Sequence, residues 1–274
     1  MSRGQAYILS SVFFFSLMNV CVKKVAHLPV YEVILARSVI SLLACLIPLW
    51  RRGIHPLGRQ RRYLWMRGAA GFLSLSLYFF TLQRIPLASA VTLQYLAPVF
   101  TALLSWRLLG EHISFSRWAS FVISLMGVAV ATNFDPHTPP LFALLGLFSA
   151  LLAAVAYYSI SRAKHSEHPL VIVLYFPLVA IPVTSLMCLW HFEWPSATDF
   201  FWLLLTGLFT QAAQVLMTLG YMTENIGKAA GLKYSGVLFA LFWGWVIFQD
   251  SYTPGQIAGI LLVVLGTVGH IVFP

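Results

Sequence analysis

Runs of about 20 mostly apolar residues, the length that carries a helix across a hydrocarbon core, follow one another along this chain with short polar breaks between them. They predict helices over 5–23, 31–50, 66–83, 88–107, 115–133, 141–162, 170–190, 198–220, 229–248 and 254–273. The N-terminal segment from Met1 to Phe15 has neither a sizeable basic leader nor a small-residue cleavage site, and its apolar run continues to Val22, so it is expected to be retained as the first span. Ten spans leave roughly 70 residues for everything else, too few for a separate catalytic domain. The longest connection, RRGIHPLGRQRRYLW from Arg51 to Trp65, is basic and carries no acid. The expected fold class is an all-α polytopic membrane protein with ten transmembrane helices, so its function must lie inside the bundle.

The chain also repeats itself. A shift of 139 residues lays the segment from Leu93 over the segment from Leu232 without a gap, so that Tyr95 meets Tyr234, Trp106 meets Trp245, Glu111 meets Asp250 and Gly127 meets Gly266. A shift of 140 does the same for the first arm, with Lys24 on Lys164, Pro29 on Pro169 and Trp50 on Trp190. Each half then holds five spans, 1–135 and 136–274, within one integral membrane domain. Five is odd, so the second half must enter the membrane with opposite polarity, which predicts an inverted repeat about an axis in the membrane plane.

Composition agrees with a membrane setting, since 59% of residues are hydrophobic and only 9% charged. The distribution of charge adds an orientation. With a cytoplasmic N-terminus, 12 of the 17 Lys and Arg residues fall on the inner side, only Lys23, Lys24 and Arg84 on the outer side, and Arg37 and Lys233 within spans. An integral protein of a bacterial inner membrane with both termini cytoplasmic is therefore expected. The same bias accounts for the net charge of +9 and excludes nucleic acid as a partner, because the basic residues are scattered over several loops with no groove or fold to organise them.

Two five-span repeats, each closing on a span that ends in an acid, as in LLSWRLLGEHIS and WVIFQDSYT, and each followed by a Gly-bearing last span, resemble the drug/metabolite transporter superfamily in its EamA-type ten-helix branch. The resemblance covers nearly the whole chain, and PLASAVTLQYLAPVFTALLSWRLLGE is its most specific part. The second half departs from the pattern, with Val237 where the first has Pro98 and Asp250 where Glu is more typical. The resemblance implies that spans 1–4 and 6–9 surround a central substrate cavity, that spans 5 and 10 pack peripherally, and that small organic metabolites move by alternating access. It leaves the substrate open. Pro48, Pro98, Pro177 and Pro182 interrupt helical hydrogen bonding and could serve a rocking bundle as hinges, although membrane helices also tolerate proline without such a role. The run GQIAG from Gly255 to Gly259, with Ser120 and Ser124, suits close helix contact within a monomer, with a weak homodimer as the alternative.

Polar residues at membrane depth carry the candidate site, because an ionisable group there costs a few kcal/mol and by default faces a partner or a wet space. Lys233 precedes Tyr234 as its repeat-mate Gln94 precedes Tyr95. Lys233 is either an anion-recognising group or an ammonium that snorkels to the interface. Arg37 is either a substrate contact or half of a structural ion pair or gate, and its spacing from Glu32 is poor for pairing on one helix face. Gln211 and Gln214, three apart, are expected to share a face, and Asn19, Tyr78, Tyr157 and Tyr158 add donors and ring surfaces. With no acid expected at depth, a carboxylate proton relay has little support.

The expected function is a secondary transporter of a small polar metabolite, such as an amino acid, a nucleotide-like compound or another anionic or zwitterionic molecule. The alternatives are a multidrug or metabolite efflux pump and, further off, an intramembrane lipid-modifying enzyme. An enzyme would need a nucleophile, a metal cluster or a paired acid and base, whereas Cys21, Cys45 and Cys188 lie in apolar runs and His165 and His168 in a polar loop. No cofactor or metal is expected, and membrane lipids and the metabolite are the expected partners. The charge bias gives a direct test of topology. A single cysteine at position 59, in a cysteine-free background, should resist a membrane-impermeant thiol reagent in sealed cells and react after permeabilisation; labelling in sealed cells would invert the assignment.

Overall fold

A computed structural model describes residues 2–84, 93–110, 114–131, 140–224, 226–249 and 253–272. Glu111, Asp250, the start of the fourth predicted span and residues 134–139 of the outer connection lie outside the described residues. Among the described residues the chain is helical, without strands. Its elements are α1 (Arg3–Lys24), α2 (Val30–Arg51), α3 (Arg61–Arg84), α4 (Ala97–Leu104), α5 (Phe115–Ala131), α6 (Pro140–Ala163), α7 (Pro169–Trp190), α8 (Ala197–Thr223), α9 (Ile226–Leu232), α10 (Gly236–Phe248) and α11 (Pro254–Val272). Six helical runs are long and apolar enough to cross a membrane: α1, α2, α6, α7, α8 and the stretch Ala229–Ile247 through α9 and α10. At 24 residues α3 is long enough as well, but it carries Arg61, Arg62, Arg67 and Arg84. It begins five residues earlier than the sequence predicts, which draws Arg67 a full turn into the bundle.

Helix starts follow the local chemistry. Ser2 and Ser196 cap α1 and α8 through capping boxes with Gln5 and Asp199, and Pro169 opens α7 behind His168, whose Nδ1 accepts from the Leu170 amide at 3.2 Å. Two helical stretches are broken at corresponding places. Leu93 and Gln94 are helical, Tyr95 and Leu96 form a turn, and α4 then begins. In the second half α9 gives way to a 3₁₀ turn, Lys233–Ser235, before α10.

The helices pack in corresponding pairs. α1 lies on α8 as α3 lies on α6; α3 touches α7 as α2 touches α8; α4 touches α6 as α9 and α10 touch α1. Two further contacts, α2 with α7 and α5 with α11, join equivalent elements. The last pair approaches very closely. A Cβ added at Gly127 would lie 2.6 Å from the Val263 amide nitrogen and 2.9 Å from the Gly259 carbonyl, and one at Gly266 would lie 2.9 Å from the Ser120 carbonyl. Only hydrogen in place of a side chain allows the two backbones to meet in this way. On the outer surface, Leu261 and Leu265 of α11 and Val122 and Met126 of α5 are exposed, as are Trp50 and Trp190 at the ends of α2 and α7. That is the expected pattern for a lipid-facing surface with interfacial aromatics.

Gly127→Leu, which drives a side chain into the α11 backbone, should lower unfolding stability in detergent by about 1–3 kcal/mol. Gly255→Leu, whose added carbon meets nothing closer than Thr253 Oγ1 at 3.9 Å, should stay within about 0.5 kcal/mol of the parent in the same denaturation series. Equal losses at the two positions would contradict this account of the contact.

Candidate substrate cavity

One face of α3 supplies a stripe of wall. Arg67, Gly71, Ser74 and Tyr78 are spaced i, i+4, i+7 and i+11, so they stack along one side of the helix, and all line an internal cavity of about 170 Å³. The wall also includes Phe15, Ser16 and Asn19 of α1, Ala153, Ala156 and Tyr157 of α6, and Phe176 of α7. Gln214 and Met217 of α8 complete the wall, together with Gln94, Tyr95 and Lys233 from the two helix breaks. A broken helix suits such a wall, because a turn can direct side chains into a cavity that a continuous helix would carry past.

The cations are held by neutral partners. Arg67, 2% exposed, donates from Nη2 to Gln214 Oε1 at 2.7 Å, while its Nε has no partner among the described residues. Its guanidinium occupies the space a side chain at Gly71 would take. Lys233 Nζ donates to the Tyr157 hydroxyl at 2.5 Å, lies 3.8 Å from Met217 Sδ and stands 3.9 Å from the centre of the Tyr157 ring. Tyr157 is in turn stacked on Tyr221 with centroids 5.0 Å apart. Arg37, 1% exposed, lies behind the wall, its guanidinium carbon 4.7 Å from the Phe176 ring centre and its Nε and Nη1 without partners among the described residues.

The described acidic side chains are all employed elsewhere. Glu32 accepts from the Glu193 amide at 2.8 Å instead of pairing with Arg37, and Asp199 lies 3.3 Å from His27 Nε2. Glu167 accepts from the Arg59 and Gln60 amides at 2.6 and 2.5 Å, Glu193 lies 3.4 Å from His191 Nε2, and Glu224 accepts from the Ser2 hydroxyl. Each fastens a helix end or loop, and none lines the cavity. At His168, in the connection before α7, burial together with the nearby Arg52 charge lowers the imidazole pKa below its ordinary value.

Of the residues singled out from sequence, Asn19, Tyr78, Gln94, Tyr95, Tyr157, Gln214 and Lys233 come together around this space, and Tyr234, Gln211, Arg37 and Tyr158 do not line it. Tyr234 is fully buried, stacked on Tyr95 at 5.8 Å and set against Phe121. Gln211 turns toward α2, accepting from Ser41 Oγ at 2.5 Å and donating to Cys45 Sγ at 3.2 Å. Tyr158 is half-buried against the core around Cys45 and Leu49. Sequence reasoning missed Arg67, Ser74, Phe176 and Met217. The periodic run Arg67, Gly71, Ser74, Tyr78 was the available signal for the first two.

A bundle of apolar helices around an internal, cation-lined cavity, with every described carboxylate at its ends, defines a membrane carrier of small molecules. The profile of the EamA-like transporter family matches residues 2–133 and again residues 141–272, and the chain belongs to that family. It is 33% identical over 276 residues to the pseudopaline exporter CntI of Pseudomonas aeruginosa, covering 98% of this chain and 95% of that protein. It is 27% identical over 289 residues to solute carrier family 35 member G1 of Mus musculus, covering 97% of this chain and 77% of that one. A solved crystal structure, 18% identical, shares the fold with a TM-score of 0.85 over 97% of this chain and 95% of its own. The family and these named relatives are transporters, which separates this chain from the intramembrane enzyme considered above.

Gln214→Leu removes the acceptor from the buried Arg67 guanidinium. The loss should be about 1.5–3 kcal/mol of stability, as for other hydrogen bonds to charged groups, measured by chemical denaturation in detergent. A loss below about 0.5 kcal/mol would mean that solvent in the cavity replaces the amide.

Proposed function

We propose that the protein is a secondary transporter that exports a small metabolite bearing an acidic group, anionic or zwitterionic, by alternating access across a bacterial inner membrane. The observation that carries this reading is the pair of cavity cations, Arg67 and Lys233, on a wall that holds no carboxylate among the described residues. An isolated charge at this depth is expensive, and a ligand of opposite sign relieves it. Export is supported by the relative named as an exporter, which the chain matches along nearly its whole length. The bacterial setting has support from the same relative, and cytoplasmic termini from the loop charges.

The architecture we assign is ten spans in two inverted halves, 1–135 and 136–274. Its support is the double match of the family profile, the helix contacts that recur in corresponding pairs, and the helix breaks at Tyr95 and Lys233. In that arrangement α5 and α11 stand at the periphery, joined within one chain through Gly127 and Gly266, which favours a monomer over a dimer through this face. Substrate contacts are assigned to Lys233, Arg67, Gln94, Tyr95, Gln214, Asn19, Tyr78 and Tyr157. Tyr234, Gln211, Tyr158 and Arg37 are assigned to the supporting layer.

Lys233→Gln copies the amide of its repeat-mate Gln94 and so keeps a side chain that the bundle accommodates at an equivalent position. In liposomes, counterflow with a panel of amino acids and nucleotide-like anions should identify a substrate of the parent protein. The variant should bind it about tenfold or more weakly, the effect of one lost charge-assisted hydrogen bond. A folded variant with unchanged affinity would make Lys233 a snorkelling residue and leave Arg67 as the sole cavity cation behind the reading.

A further inference from the structure

The two cavity cations converge on one helix. Arg67 is tied to Gln214, and Lys233 lies against Met217. Gln214 and Met217 are three residues apart on α8, so their Cβ atoms are about 5–6 Å apart on one face. One face of α8 thus offers a hydrogen-bond acceptor to the guanidinium and a thioether contact to the ammonium within one turn of each other. The partners that hold them, an amide, a phenol and a thioether, carry no negative charge. A single carboxylate entering this pole would leave one positive charge uncompensated in a space lined by the Phe15, Phe176 and Tyr157 rings.

The far end of the cavity is chemically different. Tyr78 lies eleven residues beyond Arg67 on α3, about 16 Å along the helix at 1.5 Å per residue. Away from Arg67 the wall also carries Gln94, whose Oε1 accepts at 2.9 Å from Ser149, itself bonded to the Ser74 carbonyl seven residues beyond Arg67, and the cavity is lined as well by Asn19, whose Oδ1 has no partner among the described residues. These groups are neutral. The asymmetry comes from the two halves themselves, since Lys233 corresponds to Gln94, and Gln214 to Leu75.

We infer that the substrate carries two negative charges clustered at one end, seated between Arg67 and Lys233, and neutral hydrogen-bonding groups at the other. This inference rests on the reading of the protein as a transporter of acidic metabolites, and it makes a demand that reading does not. A matched set of probes separates the two. Phthalate, with two adjacent carboxylates, benzoate, with one, and benzamide, with none, share one aromatic body, and their dissociation constants can be read from ligand-induced thermal stabilisation of the purified full chain in detergent.

Phthalate should bind about tenfold or more tightly than benzoate, the gain expected from a second charge-assisted contact, and Lys233→Gln should bring the two to within a factor of about three. Benzoate equal to phthalate in the parent protein would overturn the paired-charge inference and leave the acidic-substrate reading standing. If neither acid binds more tightly than benzamide, or if no probe binds, both fall. A phthalate preference that survives in Lys233→Gln would also overturn the inference, because the second charge would then be met elsewhere.

Discussion

A guanidinium moved from water into a protein interior loses several kcal/mol of hydration, which only another group can return. In this bundle Arg37 and Arg67 are almost completely buried, and the described carboxylates that could neutralise them are engaged with backbone amides, hydroxyls and histidines at the helix ends. What remains is a set of weaker substitutes: the Gln214 amide for Arg67 and the Phe176 ring for Arg37. The interior therefore stays electropositive, and both the wall of the cavity and the chemistry it can receive follow from that imbalance.

The same economy of acids explains how the ends are fastened. Glu167 gathers two amides of the connection between α2 and α3, where Tyr175 also donates to the Leu57 carbonyl at 2.8 Å. At the opposite ends of α2 and α7, Glu32 receives the Glu193 amide and Tyr31 donates to the His191 carbonyl at 2.8 Å. A carboxylate and a phenol clasp each end of this helix pair. Between the clasps, Pro177 and Pro182 interrupt the hydrogen bonding of α7 next to Phe176, the ring that separates Arg37 from the cavity. A helix pair tied at both ends and weakened in the middle can flex at the cavity while its ends stay joined.

Resemblance between the halves and difference between them serve separate purposes. Corresponding helix contacts and corresponding breaks need similar backbones, and Gly127 and Gly266 meet that need where α5 crosses α11. The side chains facing the cavity are free to diverge, because exchanging glutamine for lysine or leucine for glutamine alters the wall without moving the helices. In the proposed reading the cations mark one end of the cavity, which would orient an acidic molecule inside it.

Much of the fold was legible in the sequence because hydrophobic length and residue type are one-dimensional. Runs of about 20 apolar residues, loop lysines and arginines, and the register that lays Gln94 on Lys233 can all be read without coordinates. The facing of individual side chains cannot. Gln211 and Gln214 are about 60° apart around one helix axis, yet one faces Ser41 and the other Arg67, because α2 packs directly on α8 while the long Arg67 side chain reaches it from α3. Arg67, at the start of the predicted span 66–83, counted only among the inner-side charges; the earlier start of α3 and the missing side chain at Gly71 turned it inward. Tyr95 and Tyr234 occupy matched positions, but only packing made one a cavity wall and the other its buried support. The sequence alone determined the solvent this chain lives in and its duplicated plan. Tertiary structure decided which polar groups meet, since that depends on the neighbour each helix face finds.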